Sequence, residues 1–334
     1  MSRFRLPRRP QPGEVFDVVI VGGGPAGLSA ALYAARFSLR VLVISETIGG
    51  TLNEAGIIDD YIGIPEIPGP QLARRFEEHV ARYGVPIVVG KVVNVVKEGD
   101  TFRVVLQDST TYLGRALIVA VGSVRRKLGV PGEDRLAGKG VTYCAPCDAP
   151  MFRGKEVAVV GGGNAALQGA LLVASYASKV YLIHRRDSFR AFPVYVDLVK
   201  GNPRIELVLN SVVTEIGGEE RVEWIRVRNV ATGEERVIKV SGVVVEIGSE
   251  PPREFLAKLG LELDEYGYVV VRPGQLTNVE GVFAAGDCTG GPYKRKFDQV
   301  VTAVAEGAIA AYSAYEYLIK RSTGAPAKPP SWSE

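Results

Sequence analysis

Cysteine is scarce. Three cysteines in 334 residues are too few for the disulfide framework of a small secreted protein, and two of them, Cys144 and Cys147, have a Cys-x-x-Cys spacing suited to redox chemistry. An excess of charge of one sign is also lacking: 40 basic side chains stand against 37 acidic ones, a net charge of +3. That balance gives no reason to expect nucleic acid or an acidic membrane as a partner. No apolar run approaches the ~20 residues that span a bilayer, and the first residues lack the apolar stretch of a signal peptide, so a cytoplasmic protein is expected. What is plentiful is hydrophobic residues, 46%, and glycine, 39 residues, as in a globular protein with many tight turns. A chain this long is expected to divide into more than one domain.

Residues 1–14 carry Arg3, Arg5, Arg8, Arg9 and three prolines, a composition that cannot bury a core and reads as a flexible basic arm. From Phe16 an apolar strand, Asp17 to Gly22, runs into a glycine turn, a helical stretch Ala26 to Arg36 and a second strand, Val41 to Ile44. The same order returns at Val157 to Gly161, Ala165 to Tyr176 and Val180 to Ile183. Glu46 and Arg185 each lie 24 positions past the first glycine of their copy. This internal repeat predicts an α/β protein with two Rossmann-like nucleotide-binding domains. Val-rich segments ending at Gly122 and at Gly248 read as the places where the chain crosses between them. The expected division is 15–120 with 248–320 as one discontinuous domain, 121–247 as a domain inserted into it, and 321–334 as a tail. Gly281 to Tyr317 reads as a strand, an acidic turn and a long Ala-rich helix.

Gly22-x-Gly24-x-x-Gly27 follows a strand and opens a helix, the context in which this motif is informative. The first glycine permits the turn, the second lets a pyrophosphate approach the backbone, and the helix N-terminus supplies partial positive charge. Glu46 stands where a carboxylate would accept hydrogen bonds from ribose hydroxyls. That suits a nucleotide without a 2′-phosphate, and FAD fits. The second loop, Gly161-x-Gly163-x-x-Ala166, has partner residues of the opposite sign: His184, Arg185 and Arg186, with Arg190 close behind. Guanidinium groups bind a phosphate dianion bidentately, which favours NADPH over NADH.

Cys144-Ala-Pro-Cys147-Asp148 lies a few residues before the second nucleotide strand, so the dithiol belongs to the nicotinamide domain. The pair can close a small disulfide, and Asp148 is well placed to shuttle a proton as thiolates form and are consumed. A zinc half-site is the competing reading. No second Cys-x-x-Cys or Cys/His group supplies the missing ligands at the usual spacing, and no metal is expected. Cys288 reads as a small buried filler.

From about residue 15 to residue 318 the sequence resembles the low-molecular-weight thioredoxin reductases. The resemblance rests on Gly22-Gly-Gly-Pro25-Ala26-Gly27, Gly49-Gly50, Cys144-Ala-Pro-Cys147-Asp148, Gly161-Gly-Gly-Asn164, His184-Arg-Arg-Asp-Ser-Phe-Arg190-Ala191 and Gly281-Val-Phe-Ala-Ala-Gly286-Asp287, in the family's order. It implies a three-layer ββα fold in both domains and a homodimer that reduces thioredoxin or a glutaredoxin-like protein. It also implies that Cys147 faces the flavin, Cys144 attacks the partner disulfide and Asp148 is the proton donor. Pro25, Ala26, Gly50, Asp60, Asp287, Gln299 and Val300 would join the FAD site, and Asn164, Ala165 and Ala166 the NADPH site. A domain rotation would alternate dithiol and nicotinamide at the flavin.

Ala165 stands where the family has Ser or Thr, and Gln168 where it has Glu. These departures motivate a second reading, a related flavoprotein that does not use NADPH, either a dithiol oxidase or a ferredoxin-fed disulfide reductase. A flavin-carrying sensor without turnover is the third.

Overall fold

The computed structural model describes residues 9–55, 57–58, 60–290 and 297–323. Most of the basic arm, residues 291–296 and the C-terminal tail from 324 onward lie outside that range. The chain forms two compact units, one from the residues up to Val124 and from Glu250 onward, the other from Arg125–Ser249.

The first unit begins with β1 (Val15–Gly23), α1 (Pro25–Arg36) and β2 (Val41–Ile48). A short hairpin of β3 (Ile57–Ile58) and β4 (Ile67–Pro68) leads into α2 (Gly69–Ala81). Next come β5 (Ile87–Val89), β6 (Val92–Glu98), β7 (Thr101–Leu106) and β8 (Thr111–Val119). The sheet order is β5-β2-β1-β8-β7-β6, parallel from β5 to β8 and antiparallel from β8 to β6. Val18, Val19 and Ile20 of β1 are all fully buried, as a central strand covered on both faces requires. Val18 and Ile20 pack with Leu28 and Ala31 of α1, while Val19 and Val21 belong to a second core cluster with Phe102 and Val104 of β7. Each such Val or Ile contributes about 1.5–3 kcal/mol by leaving water.

β2 runs further than the predicted Val41 to Ile44. After a register shift between Val21 and Gly23, β1 pairs Gly23 with Ile48, so Glu46 lies within the strand's exposed end.

The crossing into the second unit is β9 (Val124–Arg125). The unit continues through β10 (Val141–Thr142), α3 (Ala145–Asp148), β11 (Glu156–Gly161), α4 (Asn164–Tyr176), β12 (Lys179–Ile183), α5 (Pro193–Lys200) and β13 (Ile205–Val208). β14 (Ser211–Gly217), β15 (Trp224–Asn229), β16 (Glu235–Lys239) and β17 (Gly242–Glu246) follow, and the chain leaves through β18 (Ser249–Glu250). A parallel sheet in the order β10-β17-β11-β12-β13 forms the middle layer. Val157 and Val159 of β11 pack with Leu167 and Val173 of α4. Ala158 and Val160 pack instead with Val213, Ile225 and Val227 of the antiparallel β14-β15-β16 layer. The repeat read from the sequence is therefore structural, with β1-α1-β2 and β11-α4-β12 folding alike. β9 and β18, the two crossings, pair with each other.

Back in the first unit, α6 (Arg253–Lys258) precedes β19 (Val282–Ala284), which adds to β8 in parallel. The long α7 (Val300–Thr323) then packs its Ala310, Ala311 and Ala314 against α1. Small residues let the two helices approach closely. A Cβ on Gly307 would overlap the Ala26 carbonyl oxygen.

Candidate active site

In the first unit the glycine loop is shaped by what surrounds it. Gly22 has φ +112°, and a Cβ there would overlap the Ala120 carbonyl oxygen at the end of β8, so only glycine turns the chain from β1 into α1. Gly27 sits with equal closeness on the Gly22 carbonyl. α1 opens at Gly24 with Pro25 in its first turn and no side-chain cap, leaving its N-terminal amides to an anion. Gly49 N–H donates to the Gly23 carbonyl at 2.8 Å, and a Cβ on Gly50 would come 3.2 Å from the Gly24 Cα. A Cβ on Gly286 would meet Ala26 Cβ at 2.8 Å, which places the Gly286-Asp287 turn beside the start of α1, with Ala303 of α7 next to it. Val300 begins that helix, and Gln299 just before it accepts the Ala303 N–H on its carbonyl at 3.0 Å. Glu46 is exposed, with Lys91 Nζ 3.5 Å from its carboxylate. Asp60 lies in an exposed turn anchored on α2 through Tyr61, whose ring meets Phe76 edge-on.

Two residues that the sequence did not single out complete this cradle. Ser45 Oγ accepts the Gly23 N–H at 2.8 Å and donates to the Thr47 carbonyl at 2.7 Å. Glu306 of α7 accepts the Gly286 N–H at 2.7 Å.

In the second unit α4 also opens without a side-chain cap, at Gly163, and a Cβ on Gly163 would meet nothing within 4 Å. The 184–192 segment folds back over this loop. Arg190 N–H donates to the Gly162 carbonyl at 2.9 Å, and Phe192 N–H donates to Asn164 Oδ1 at 2.8 Å. Arg185, Arg186 and Arg190 are exposed. His184 is not. Its ring underlies Gly162, stacks on Phe189 and places Nε2 3.1 Å from the Ser188 carbonyl oxygen, and burial pushes its pKa below 6.5. Ala165 and Ala166 lie in the first turn of α4, where Ala166 is buried. Gln168 donates to Tyr195 Oη at 2.5 Å.

Cys144 and Cys147 are joined as a disulfide, with Cα atoms 5.4 Å apart. Cys144 caps α3, and its Sγ accepts the Cys147 N–H at 3.2 Å. Pro146 occupies the first turn, where the missing N–H costs no helical bond. Cys147 is exposed, Asp148 is half-buried and Cys144 is nearly buried. Gly169 lets the disulfide turn lie on α4, since a Cβ there would come 3.1 Å from that of Ala145. Cys288, in the first unit, is fully buried with Sγ 3.4 Å from the Ala285 carbonyl oxygen.

Residues 16–307 match the family model described as pyridine nucleotide-disulphide oxidoreductase. A thioredoxin reductase of Mycolicibacterium smegmatis is 40% identical over 310 residues, covering 92% of this chain and 98% of the relative. An alkyl hydroperoxide reductase component from Staphylococcus epidermidis is 35% identical over 91% of this chain, which spans only 59% of that longer protein. Among solved structures, the thioredoxin reductase of Lactococcus lactis superposes with a TM-score of 0.86 at 34% identity, covering 91% of this chain and 99% of that one. The chain, with its two glycine cradles and its disulfide turn, belongs to the pyridine nucleotide-disulphide oxidoreductase family.

Proposed function

We propose that the chain is an FAD-dependent, NADPH-linked disulfide reductase of the thioredoxin reductase type, reducing thioredoxin or a glutaredoxin-like protein and acting as a homodimer. One observation carries the reading: a Cys-x-x-Cys disulfide on a helical turn lies on α4, the helix whose N-terminus opens the second nucleotide cradle. FAD, when bound, supplies the relay between a two-electron hydride donor and a disulfide.

The chain's own residues divide the work. Gly22, Gly24, Pro25, Ala26, Gly27 and Gly50 form an uncapped, close-walled cradle suited to the FAD pyrophosphate, with Glu46 for its ribose. Asp287 from the turn after β19, and Gln299 and Val300 at the start of α7, close the site, and Asp60 is assigned to it by resemblance alone. Gly161, Gly163, Asn164, Ala165 and Ala166 form the NADPH cradle. His184 supports it from beneath, and the exposed Arg185, Arg186 and Arg190 neutralise the 2′-phosphate. After reduction, the Cys144 thiolate attacks the partner disulfide, Cys147 resolves the mixed disulfide, and Asp148 moves the proton at the sulfur.

Anaerobic NADPH should bleach the flavin band of the purified protein faster than NADH does, and thioredoxin should then reoxidise it. Cys147→Ser should trap a mixed disulfide with thioredoxin through Cys144, and Cys144→Ser should not. Thioredoxin reduction retained in Cys144→Ser would falsify the assignment.

A second reading omits NADPH. It is favoured by Ala165, which leaves the α4 N-terminus without a hydroxyl, and by Gln168, whose amide is engaged by Tyr195. A flavin band that neither nicotinamide bleaches would select a dithiol oxidase or a ferredoxin-fed reductase instead.

A further inference from the structure

The residue before Cys144 is tied to a buried carboxylate. Tyr143 Oη donates to Glu133 Oε1 at 2.8 Å. The same carboxylate accepts the Leu128 N–H at 2.8 Å and the Gly129 N–H at 2.7 Å. Glu133 is 2% exposed, and a buried charge is tolerated only when its lone pairs are used, as these three donors use them. Its backbone is fixed as well. Ile216 N–H of β14 donates to the Pro131 carbonyl at 3.0 Å, and Gly132, at φ +88°, sits so close that a Cβ would overlap the Ile216 carbonyl oxygen. Burial, and after it the bond to Glu133, raises the Tyr143 pKa, so the phenol stays protonated and donates throughout the working range. On the other side of Tyr143, Thr142 Oγ1 accepts the Cys144 N–H at 3.1 Å. Cys144 thus follows a segment anchored to the opening of its own unit, whereas Cys147 lies exposed on the turn beyond it.

Reduction breaks the Sγ–Sγ bond, adds two electrons and two protons, and leaves two thiols. The covalent link between positions 144 and 147 is then gone, and only the surrounding contacts keep one sulfur at the other. The higher the effective concentration of one thiol at its partner, the more the disulfide is favoured and the lower the potential of the pair. We propose that Glu133, acting through the Tyr143 hydroxyl, is a positioning residue that holds Cys144 at Cys147 in the dithiol and so makes the pair a stronger reductant. The inference rests on the reading that this disulfide cycles during turnover, and it assigns Glu133 and Tyr143 a role in setting how readily it does so.

The test uses the full-length, flavin-containing protein and measures equilibrium rather than turnover. Wild type, Tyr143→Phe, Glu133→Gln and the double variant are equilibrated in buffers of reduced and oxidised dithiothreitol, which supplies the electrons. They are then quenched with acid and alkylated, and the dithiol fraction is read by mass from the peptide carrying both cysteines. Tyr143→Phe should shift the equilibrium toward dithiol by about threefold to tenfold, tenfold being about 30 mV for a two-electron couple. Glu133→Gln should shift it at least as far, and the double variant no further than Glu133→Gln alone. A wild-type ratio in Tyr143→Phe, with or without a lower melting temperature, overturns the proposal by reducing the cluster to a structural one. If Glu133→Gln does not fold, Tyr143→Phe decides alone. A wild-type pair that takes up no electrons in any buffer would instead sink the functional reading, and this inference with it.

Discussion

The His184 ring lies so close beneath Gly162 that no Cβ fits between them, and exposed Arg185, Arg186 and Arg190 surround it. Desolvation by burial is the first cause of its lowered pKa; the Ser188 carbonyl opposes it, and the nearby Arg186, Arg185 and Arg190 charges add to it. The folded chain therefore keeps the imidazole neutral at pH values where the unfolded chain already protonates it. Between the folded pKa and 6.5 the unfolded state binds more protons, so this contribution is fully present above about pH 6.5 and is lost as the pH falls below it. Denaturant midpoints measured at pH 7.5 and pH 5 should differ more for wild type than for His184→Gln. Equal differences in the two proteins would remove His184 from the account. The sequence placed His184 among the NADPH-binding residues; the structure makes it the floor of the Gly161–Ala166 turn, because it is the last buried residue after β12 before the exposed run from Arg185 to Ser188.

Among the elements, the contact between α1 and α7 has the most direct consequence for the first glycine cradle, where we propose FAD binds. Gly307 of α7 touches the Ala26 carbonyl, and Ala26 belongs to the loop that opens α1. Gly307→Val would force the helices apart at the cradle, at a cost of about 1–3 kcal/mol for overpacking. The expected result is a lower unfolding midpoint together with a lower ratio of flavin absorbance to protein, and full flavin retention would argue against it. That coupling illustrates where sequence reading stops. The glycine loops, the Cys-x-x-Cys turn and the strand–helix–strand repeat were legible because each is local and periodic. Ser45, Glu133, Gly307 and Glu306 were not legible, because their meaning lies in contacts across 22, 10, 281 and 20 positions of chain. A lone serine or glutamate carries no pattern until the fold brings its partner. The far end of β2 was missed for a related reason, since its pairing resumes only after the register shift in β1.

For the molecule as a whole, two units with separate cores imply that ligands should protect them separately. In the flavin-containing protein, added NADP⁺ should slow amide exchange at residues 161–168 and 184–192 and leave residues 20–28 unchanged. Stripping the flavin should accelerate exchange at 20–28. Protection by NADP⁺ confined to 20–28 would reverse the assignment of the two cradles. The paired crossings β9 and β18 have a further consequence. A stretch of chain that departs and rejoins at one doorway can be lengthened, trimmed or exchanged without rethreading the host. The host sheet therefore keeps its strand order whatever occupies that doorway, and each unit is free to hold a ligand of its own.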